Sequence, residues 1–340
     1  MIDPRVTIGT QIALRLALWV AGIYLLYLIR DVVLVVLFAI LTAAALAPAI
    51  ARLRKWRLSR TAAVIIVYAV VFLGGVTLLS VFLPLFFGEL KEFLSNWPEY
   101  AKRLDTLLST AQAYLGTFGI DFQKEQFFQS IEENIGRGIS GIFSTTVGLF
   151  QGFIHFIGFF FLALYLSLAE KGIEKLLLML TPEEDHAQAL SIASRMQGKV
   201  SQWLFGQMLL MLIAFTMYYI GLSLLGVPYA LAIAFFGGLM EILPYIGPVL
   251  AAVPALLASL LISPVLGVST LIFYVIAHQI EGHIVAPQVM KHSAGLNPVA
   301  LIVAILIGLE LGGPLGIILA VPVTMMLSVF VDDILEKRQG

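Results

Sequence analysis

The sequence predicts an all-α, polytopic membrane protein with about eight transmembrane helices, and three observations support this prediction. Of the 340 residues, 60% are hydrophobic and only 12% are charged, whereas soluble domains carry about 25% charged residues. Long stretches contain no charge at all, and a helix of about 20 apolar residues crosses a bilayer core. Glycine and proline also interrupt the apolar segments of the carboxyl-terminal third. Because so few polar residues could not cover a soluble surface, the composition argues against a soluble enzyme.

The predicted spans follow from where charge is missing. No Asp, Glu, Lys or Arg occurs in residues 16–29, 32–51, 61–88 and 138–169. From residue 203 to residue 331 the only charged residues are Glu241, Glu281, Lys291 and Glu310. The predicted spans lie near 12–29, 32–51, 61–87, 139–169, 203–226, 229–246, 265–286 and 299–331.

Two segments of the carboxyl-terminal third are expected to be irregular. The stretch 248–262 is short and bracketed by prolines, which predicts a re-entrant pair of half-helices. The last span is long, and Gly312-Gly313-Pro314 is expected to break it. Ten crossings result if both short segments cross the membrane.

Loop charges predict the topology. Residues 52–60 carry five basic residues and no acid, so the positive-inside rule places this loop in the cytoplasm. Both termini are then cytoplasmic, and no cleaved signal sequence is expected because an A-x-A-type site is lacking. The chain divides into an N-terminal three-helix region (1–87), an extracytoplasmic amphipathic insert (88–138), the fourth span with a cytoplasmic linker helix (139–202) and a transport region with broken helices (203–340).

The two polar inserts are both expected to be helical. In the first, Asn96, Pro98 and Glu99 form a helix start, and apolar residues recur at helical spacing from Tyr100 onward. A helical hairpin that joins two spans and a substrate vestibule are the alternatives for this insert. In the second, the run from Thr181 to Glu184 indicates another helix start.

Several chemistries are excluded or unsupported. A net charge of −1 offers no attraction for nucleic acid, and the absence of cysteine excludes disulfides and thiolate ligands. No phosphate-binding Gly-rich loop and no Gly-x-Ser-x-Gly elbow occurs. We therefore expect no enzyme activity, no cofactor and no metal site, although transported H⁺ or Na⁺ remains compatible with the sequence.

Glu241 lies three residues before the first proline of Pro244-Tyr245-Ile246-Gly247-Pro248. Proline removes a backbone donor, so the helix must break or kink here, and the freed backbone groups can line a polar cavity. A second acid, Glu310, precedes Gly312-Gly313-Pro314 in a weakly similar arrangement. Paired breaks of this kind are typical of a transporter's binding site, and structurally kinked helices are the alternative.

Between the two breaks lies a polar helical row. Tyr274, His278 and Glu281 are predicted to share one helix face, with Gln279 and His283 on an adjoining row. This face could hold a proton, a cation or a polar solute, and an ion pair with a histidine would ease the burial of Glu281. The alternative is an interfacial helix end whose polar residues touch lipid headgroups. The pattern is not His-Glu-x-x-His, so zinc is not predicted.

Three runs in this sequence resemble the autoinducer-2 exporter family, also called PerM-like permeases. The runs are Gly238 with Pro244-Tyr245-Ile246-Gly247-Pro248, the segment from His278 to Gly282 with Pro287 after it, and residues 308–322. The resemblance implies a bacterial or archaeal inner-membrane protein of about eight spans that assembles as a homo-oligomer in the bilayer. The positions that match the family's recurrent residues are Glu241, Pro244, Gly247, Gln279, Glu281 and Pro287.

These observations predict a secondary transporter that exports a small polar solute and is coupled to protons or sodium. Some members of the family are associated with export of the quorum-sensing molecule autoinducer-2, which makes it a candidate solute. A sodium (cation)/proton antiporter and a passive, channel-like oligomer are the alternatives. The candidate substrate- or ion-binding residues are Glu241, Pro244, Tyr245, Gly247, His278, Gln279, Glu281, His283, Pro287 and Glu310.

Overall fold

The described part of the computed structural model is helical. It comprises residues 19–22, 24–25, 28–118, 125–126, 129, 133, 156–169, 178–179, 181–244, 246–291 and 297–339. Within these residues there is no strand, and five helices are long and apolar enough to cross a membrane. The predicted all-α, polytopic class is therefore confirmed. Most of the predicted span 12–29, the first part of 139–169 and most of the second half of the insert fall outside the described residues.

The described elements are numbered in chain order. They are α1 (Arg30–Arg54), α2 (Arg60–Ser95), α3 (Trp97–Thr117), α4 (Phe156–Leu168), a 3₁₀ turn (Glu183–Asp185), α5 (His186–Leu225), α6 (Ala230–Met240), α7 (Gly247–Leu260), α8 (Pro264–Ile280), a π-helical turn (Glu281–Val285), α9 (Ala286–Val289) and α10 (Pro298–Gln339).

The chain forms two compact units that interleave in sequence. The first unit comprises Met1–Trp56, Ile157–Ser201 and Gly295–Gly340, and the second comprises Arg57–Phe156 and Gln202–Ala294. The four regions predicted from the charge distribution are defined by a different criterion, so the compact units do not test them. The division into four regions stays a prediction.

Local sequence explains where the helices begin. Ser59 caps α2 by accepting a hydrogen bond from the Ala62 amide, and Ser263 caps α8 by accepting one from the Leu266 amide. Such caps satisfy backbone donors that have no partner inside the helix. The predicted helix start at Asn96 is confirmed, since α3 begins at Trp97 and the Asn96 carbonyl accepts the first backbone bonds. The second predicted start is also confirmed, by the 3₁₀ turn Glu183–Asp185.

Two predicted segments are wrong in their extent. The span predicted over 229–246 is a helix of 11 residues, Ala230–Met240, which is about 16 Å long and shorter than a bilayer core. The stretch 248–262 is one continuous helix of 14 residues, Gly247–Leu260, and not a pair of half-helices. The break lies between these two helices because Pro244 cannot donate a backbone hydrogen bond to the preceding turn.

Two other boundaries also differ from the prediction. Residues 186–202 of the predicted linker and nearly all of the span 203–226 belong to one helix of 40 residues, α5, because nothing between His186 and Leu225 interrupts the backbone hydrogen bonds. Likewise α2 continues to Ser95, beyond the predicted end at residue 87, since Glu89, Lys91 and Glu92 are compatible with a helix.

Helix α3 packs against turns of its own unit. The Arg103 guanidinium donates to the Leu261 carbonyl, which lies in the turn between α7 and α8. Leu104 and Leu108 form a buried cluster with Leu261, and the hydroxyls of Tyr100 and Tyr229 are 3.1 Å apart. Apolar residues of this insert therefore pack against the turn between α7 and α8, as expected for a helical connector.

The first unit contains the predicted break of the last span. Gly313 has φ 57° and ψ −140° inside α10, a left-handed φ that glycine adopts without a steric penalty. A Cβ added to Gly316 would lie 1.8 Å from the Gly308 carbonyl oxygen. In a straight helix these residues would be about 12 Å apart along the axis, so the chain turns back at Gly313. The predicted break is confirmed.

The core of the second unit is built from α5, α6, α7 and α8, which meet through small residues. Its buried members include Ala214, Tyr218, Ala234, Ala251, Ala255, Tyr274 and Ala277. Helix α6 approaches α5 closely at Gly238, where an added Cβ would lie 2.9 Å from the Met211 carbonyl oxygen and 2.7 Å from the Phe215 Cβ. Small residues at such crossings let the helix backbones pack directly.

The close approach at Gly238 generates a prediction. Gly238→Ala should lower the free energy of unfolding by about 1–3 kcal/mol, because backbone atoms of α5 must move to accept the methyl group. The matched control is Gly75→Ala in α2, where nothing lies within 4 Å of an added Cβ and helix propensity favours alanine by about 1 kcal/mol. Thermal unfolding in detergent measures the stability of both variants. Equal melting temperatures for the two variants would contradict the packing described here.

Candidate functional site

The site begins at the carboxyl end of α6. Because Pro244 has no N–H, the regular bond to the Met240 carbonyl cannot form, and that carbonyl accepts the Leu243 amide at 2.9 Å instead. The chain then turns so tightly that a Cβ on Gly247 would lie 2.2 Å from the Met240 oxygen. Glu241 is therefore the first residue of a turn inside an apolar unit.

Gln207 of α5 satisfies one backbone group that this break exposes. Its side-chain amide donates to the Glu241 carbonyl oxygen at 2.7 Å, and Gln207 is 5% exposed. A buried carbonyl without a donor would be destabilising. The glutamine in this otherwise apolar part of α5 thus supports the broken helix end.

Glu281 lies at the end of α8, where the helix changes its hydrogen-bonding pattern. The Ala286 amide bonds to the Glu281 carbonyl five residues earlier, which makes Glu281–Val285 a π-helical turn. Pro287 follows and cannot donate to the preceding turn, which explains the local widening. Glu281 is buried, and its Oε2 accepts a hydrogen bond from the Tyr218 hydroxyl at 3.4 Å.

The structure brings the two acids of the second unit together. The side chains of Glu241 and Glu281 lie close enough to interact, and Glu241 Oε2 is buried with no hydrogen-bond partner among the described residues. Two ionised carboxylates this close would repel each other in an apolar setting, and a proton held by either one would remove that repulsion. We call Glu241 and Glu281 the carboxyl pair.

Two tyrosines form an aromatic layer beside Glu281. The ring of Tyr218 stacks on that of Tyr274 with centroids 5.0 Å apart, and both side chains are buried. The absence of a side chain at Gly237 leaves space for the Tyr218 ring, since a Cβ there would lie 2.8 Å from that ring. An apolar layer of this kind strengthens the electrostatic interactions beside it.

The polar helical row predicted between the two breaks is only partly buried in the structure. His278, Gln279 and His283 are exposed, whereas Tyr274 and Glu281 are buried. The buried stripe of α8 is centred between Tyr274 and Ala277, which leaves His278 at its margin, so the prediction that His278 shares the face is wrong. His283 contacts the Gln279 carbonyl at 3.2 Å, while the Tyr218 hydroxyl donates to Glu281. The contacts of Glu281 among the described residues do not include the predicted ion pair with His278 or His283.

The remaining candidates are distributed over both units. Pro244 and Gly247 shape the turn beside Glu241, Pro287 is exposed after the π-helical turn, and Tyr245 lies outside the described residues. Glu310 is exposed and belongs to the first unit. The roles of these residues in binding stay predictions.

Two residues of the site were missed by the sequence analysis, namely Gln207 and Tyr218. They are 11 residues apart, about three helical turns, so they lie on one face of α5. A glutamine in an apolar span was the available signal, because a polar group there needs a specific partner.

Taken together, the fold and the site define a multi-pass membrane protein with a buried acidic centre at a helix break. The family model described as "AI-2E family transporter" matches residues 16–336. The chain therefore belongs to the AI-2E transporter family and is a membrane transporter.

Individual relatives cover most of the chain. The protein YueF of Bacillus subtilis (strain 168), named as a transport protein, is 25% identical to this chain over 84% of this chain and 80% of its own length. YrrI of the same organism is 28% identical, over 83% of this chain and 80% of its own length. The AI-2 transport protein TqsA of Escherichia coli (strain K12) is 22% identical over 98% of this chain and 95% of its own.

The support that Gln207 gives to the broken helix can be tested by substitution. Gln207→Leu should lower the free energy of unfolding by about 1–3 kcal/mol, because the Glu241 carbonyl loses its donor in an apolar setting. The matched control is Gln202→Leu, at an exposed position one turn earlier on the same helix. Thermal unfolding in detergent compares them, and a Gln207→Leu protein as stable as its control would refute the assignment.

Proposed function

We propose that this protein is a secondary transporter that exports a small polar solute across the inner membrane of a bacterium or archaeon, with protons as the coupling ion. Both termini are cytoplasmic in this proposal, in line with the basic loop 52–60. The observation that carries it is the carboxyl pair, because a proton shared by Glu241 and Glu281 is one that the protein can take up and release.

Proton binding at this pair can be linked to conformational change. Glu241 follows α6, a short helix that ends in a turn, and Glu281 begins a π-helical turn. When the shared proton leaves, two carboxylates repel each other in a low-dielectric setting, so the two helix ends are driven apart. Both ends lie at breaks in regular helix, which supports movement there.

Autoinducer-2 is the solute we propose to test first, because TqsA is named as an AI-2 transport protein. It is a small polar molecule, as the proposal requires. Cation/proton antiport is the second candidate function, since carboxylate and phenol oxygens also suit a hard cation such as Na⁺. A passive channel is the third.

The proposal predicts the effect of neutralising either acid. Glu241→Gln and Glu281→Gln should fold, because an amide can donate to the remaining carboxylate as the shared proton does. Each should reduce transport driven by a pH gradient by at least about a hundredfold, the scale of a lost acid–base group. The assay is autoinducer-2 flux in proteoliposomes under an imposed pH gradient, with Glu184→Gln, at an exposed position, as the control.

Three outcomes of transport measurements in these proteoliposomes would contradict the proposal. Full gradient-driven transport in both glutamine variants would exclude the carboxyl pair as the coupling site. Proton movement driven by a sodium gradient without any organic solute would identify an antiporter. Flux that neither saturates with solute nor responds to the pH gradient would identify a channel.

A further inference from the structure

One face of α8 carries a row of buried polar residues. Thr270, Tyr274 and Glu281 are 0%, 5% and 4% exposed. They are separated by four and seven residues, so they follow one stripe along the helix. The stripe ends at the carboxyl pair.

Two hydroxyls of this row have no partner in the described part of the chain, namely Thr270 Oγ1 and the Tyr274 hydroxyl. A threonine in a helix commonly bonds to the carbonyl four residues earlier, as Thr216 and Thr324 do in this protein. Thr270 does not make this bond. Buried hydroxyls that the protein leaves unpaired are usually satisfied by ordered water.

The geometry connects the two hydroxyls to the carboxyl pair. Side chains on a helix lean toward its amino terminus, so the Tyr274 ring lies over the turn that holds Thr270. The same ring stacks on Tyr218, whose hydroxyl donates to Glu281. Polar side chains therefore succeed one another in the order Thr270, Tyr274, Tyr218 and Glu281, through helical spacing, ring stacking and one hydrogen bond.

We propose that Thr270 and Tyr274 bind water and, with it, relay the proton that the carboxyl pair takes up and releases. A hydroxyl and a water each donate and accept hydrogen bonds, so every oxygen can accept one proton while it passes another on. The proton added at the Thr270 end is balanced by one delivered to the Glu281 carboxylate, and no other bond changes. The inference rests on the proposed function, since it assigns a route to that proton.

The test removes each hydroxyl while keeping the shape of the side chain. The variants are Tyr274→Phe and Thr270→Val, and the controls are Tyr219→Phe and Thr216→Val on α5, whose side chains are exposed. The relay predicts that Tyr274→Phe and Thr270→Val each slow proton uptake under a pH gradient by at least about tenfold, with no loss of thermal stability. The double variant should lose little more than either single one, because both act in one path.

A second measurement separates a relay from a structural role. Autoinducer-2 counterflow at equal pH on both sides needs no net proton movement, so Tyr274→Phe should leave it unchanged. A parallel loss of counterflow and proton uptake, or lowered thermal stability, would overturn the relay. Equal slowing in the Tyr219→Phe control would overturn it too.

The parallel assay of Glu281→Gln distinguishes failure of the relay from failure of the proposed function. Normal proton uptake in Tyr274→Phe together with loss in Glu281→Gln would overturn the relay alone. Normal uptake in Glu281→Gln would overturn the proposed function and the relay with it. Proton uptake that requires sodium would assign the hydroxyls to a cation site and overturn the relay.

Discussion

The second unit depends on how it satisfies the polar groups that one helix break exposes in an apolar interior. Backbone groups away from water need partners, and α6 ends at Met240 because Pro244 has no N–H. The Glu241 carbonyl is satisfied by Gln207, while its carboxyl lies beside that of Glu281. The same break therefore brings together the two acids on which the proposed transport function rests. Stability and the proposed transport function have a common origin here.

The break in the first unit differs from the break at Glu241 in how the nearby acid is surrounded. At Gly313 the chain turns through a left-handed φ, and the backbones of Gly308 and Gly316 come into direct contact. The nearby acid, Glu310, is exposed. The two breaks thus share their glycines and prolines but differ in what surrounds the acid. Buried partners, such as Tyr218 and Gln207, are what distinguish the break at Glu241.

Much of this arrangement could be predicted from the sequence because charges in apolar segments and Gly-Pro runs are local signals. They located Glu241, Glu281 and the break at Gly313. The length of α6 was overestimated because apolar residues continue past the point where Pro244 ends the helix. His278 was misplaced because spacing defines a face only to within about one residue, or 100°. The pairing of Glu241 with Glu281 and the stacking of Tyr218 on Tyr274 depend on tertiary packing, which periodicity does not encode.

The central claim of the proposed function is that Glu241 and Glu281 share one proton. Infrared difference spectroscopy of the protein in lipid measures this directly, because a protonated carboxyl group has a carbonyl band that a carboxylate lacks. At neutral pH the shared proton should give one such band, and the band should disappear in both Glu241→Gln and Glu281→Gln. A spectrum in which no protonated carboxyl band depends on either residue would contradict the claim.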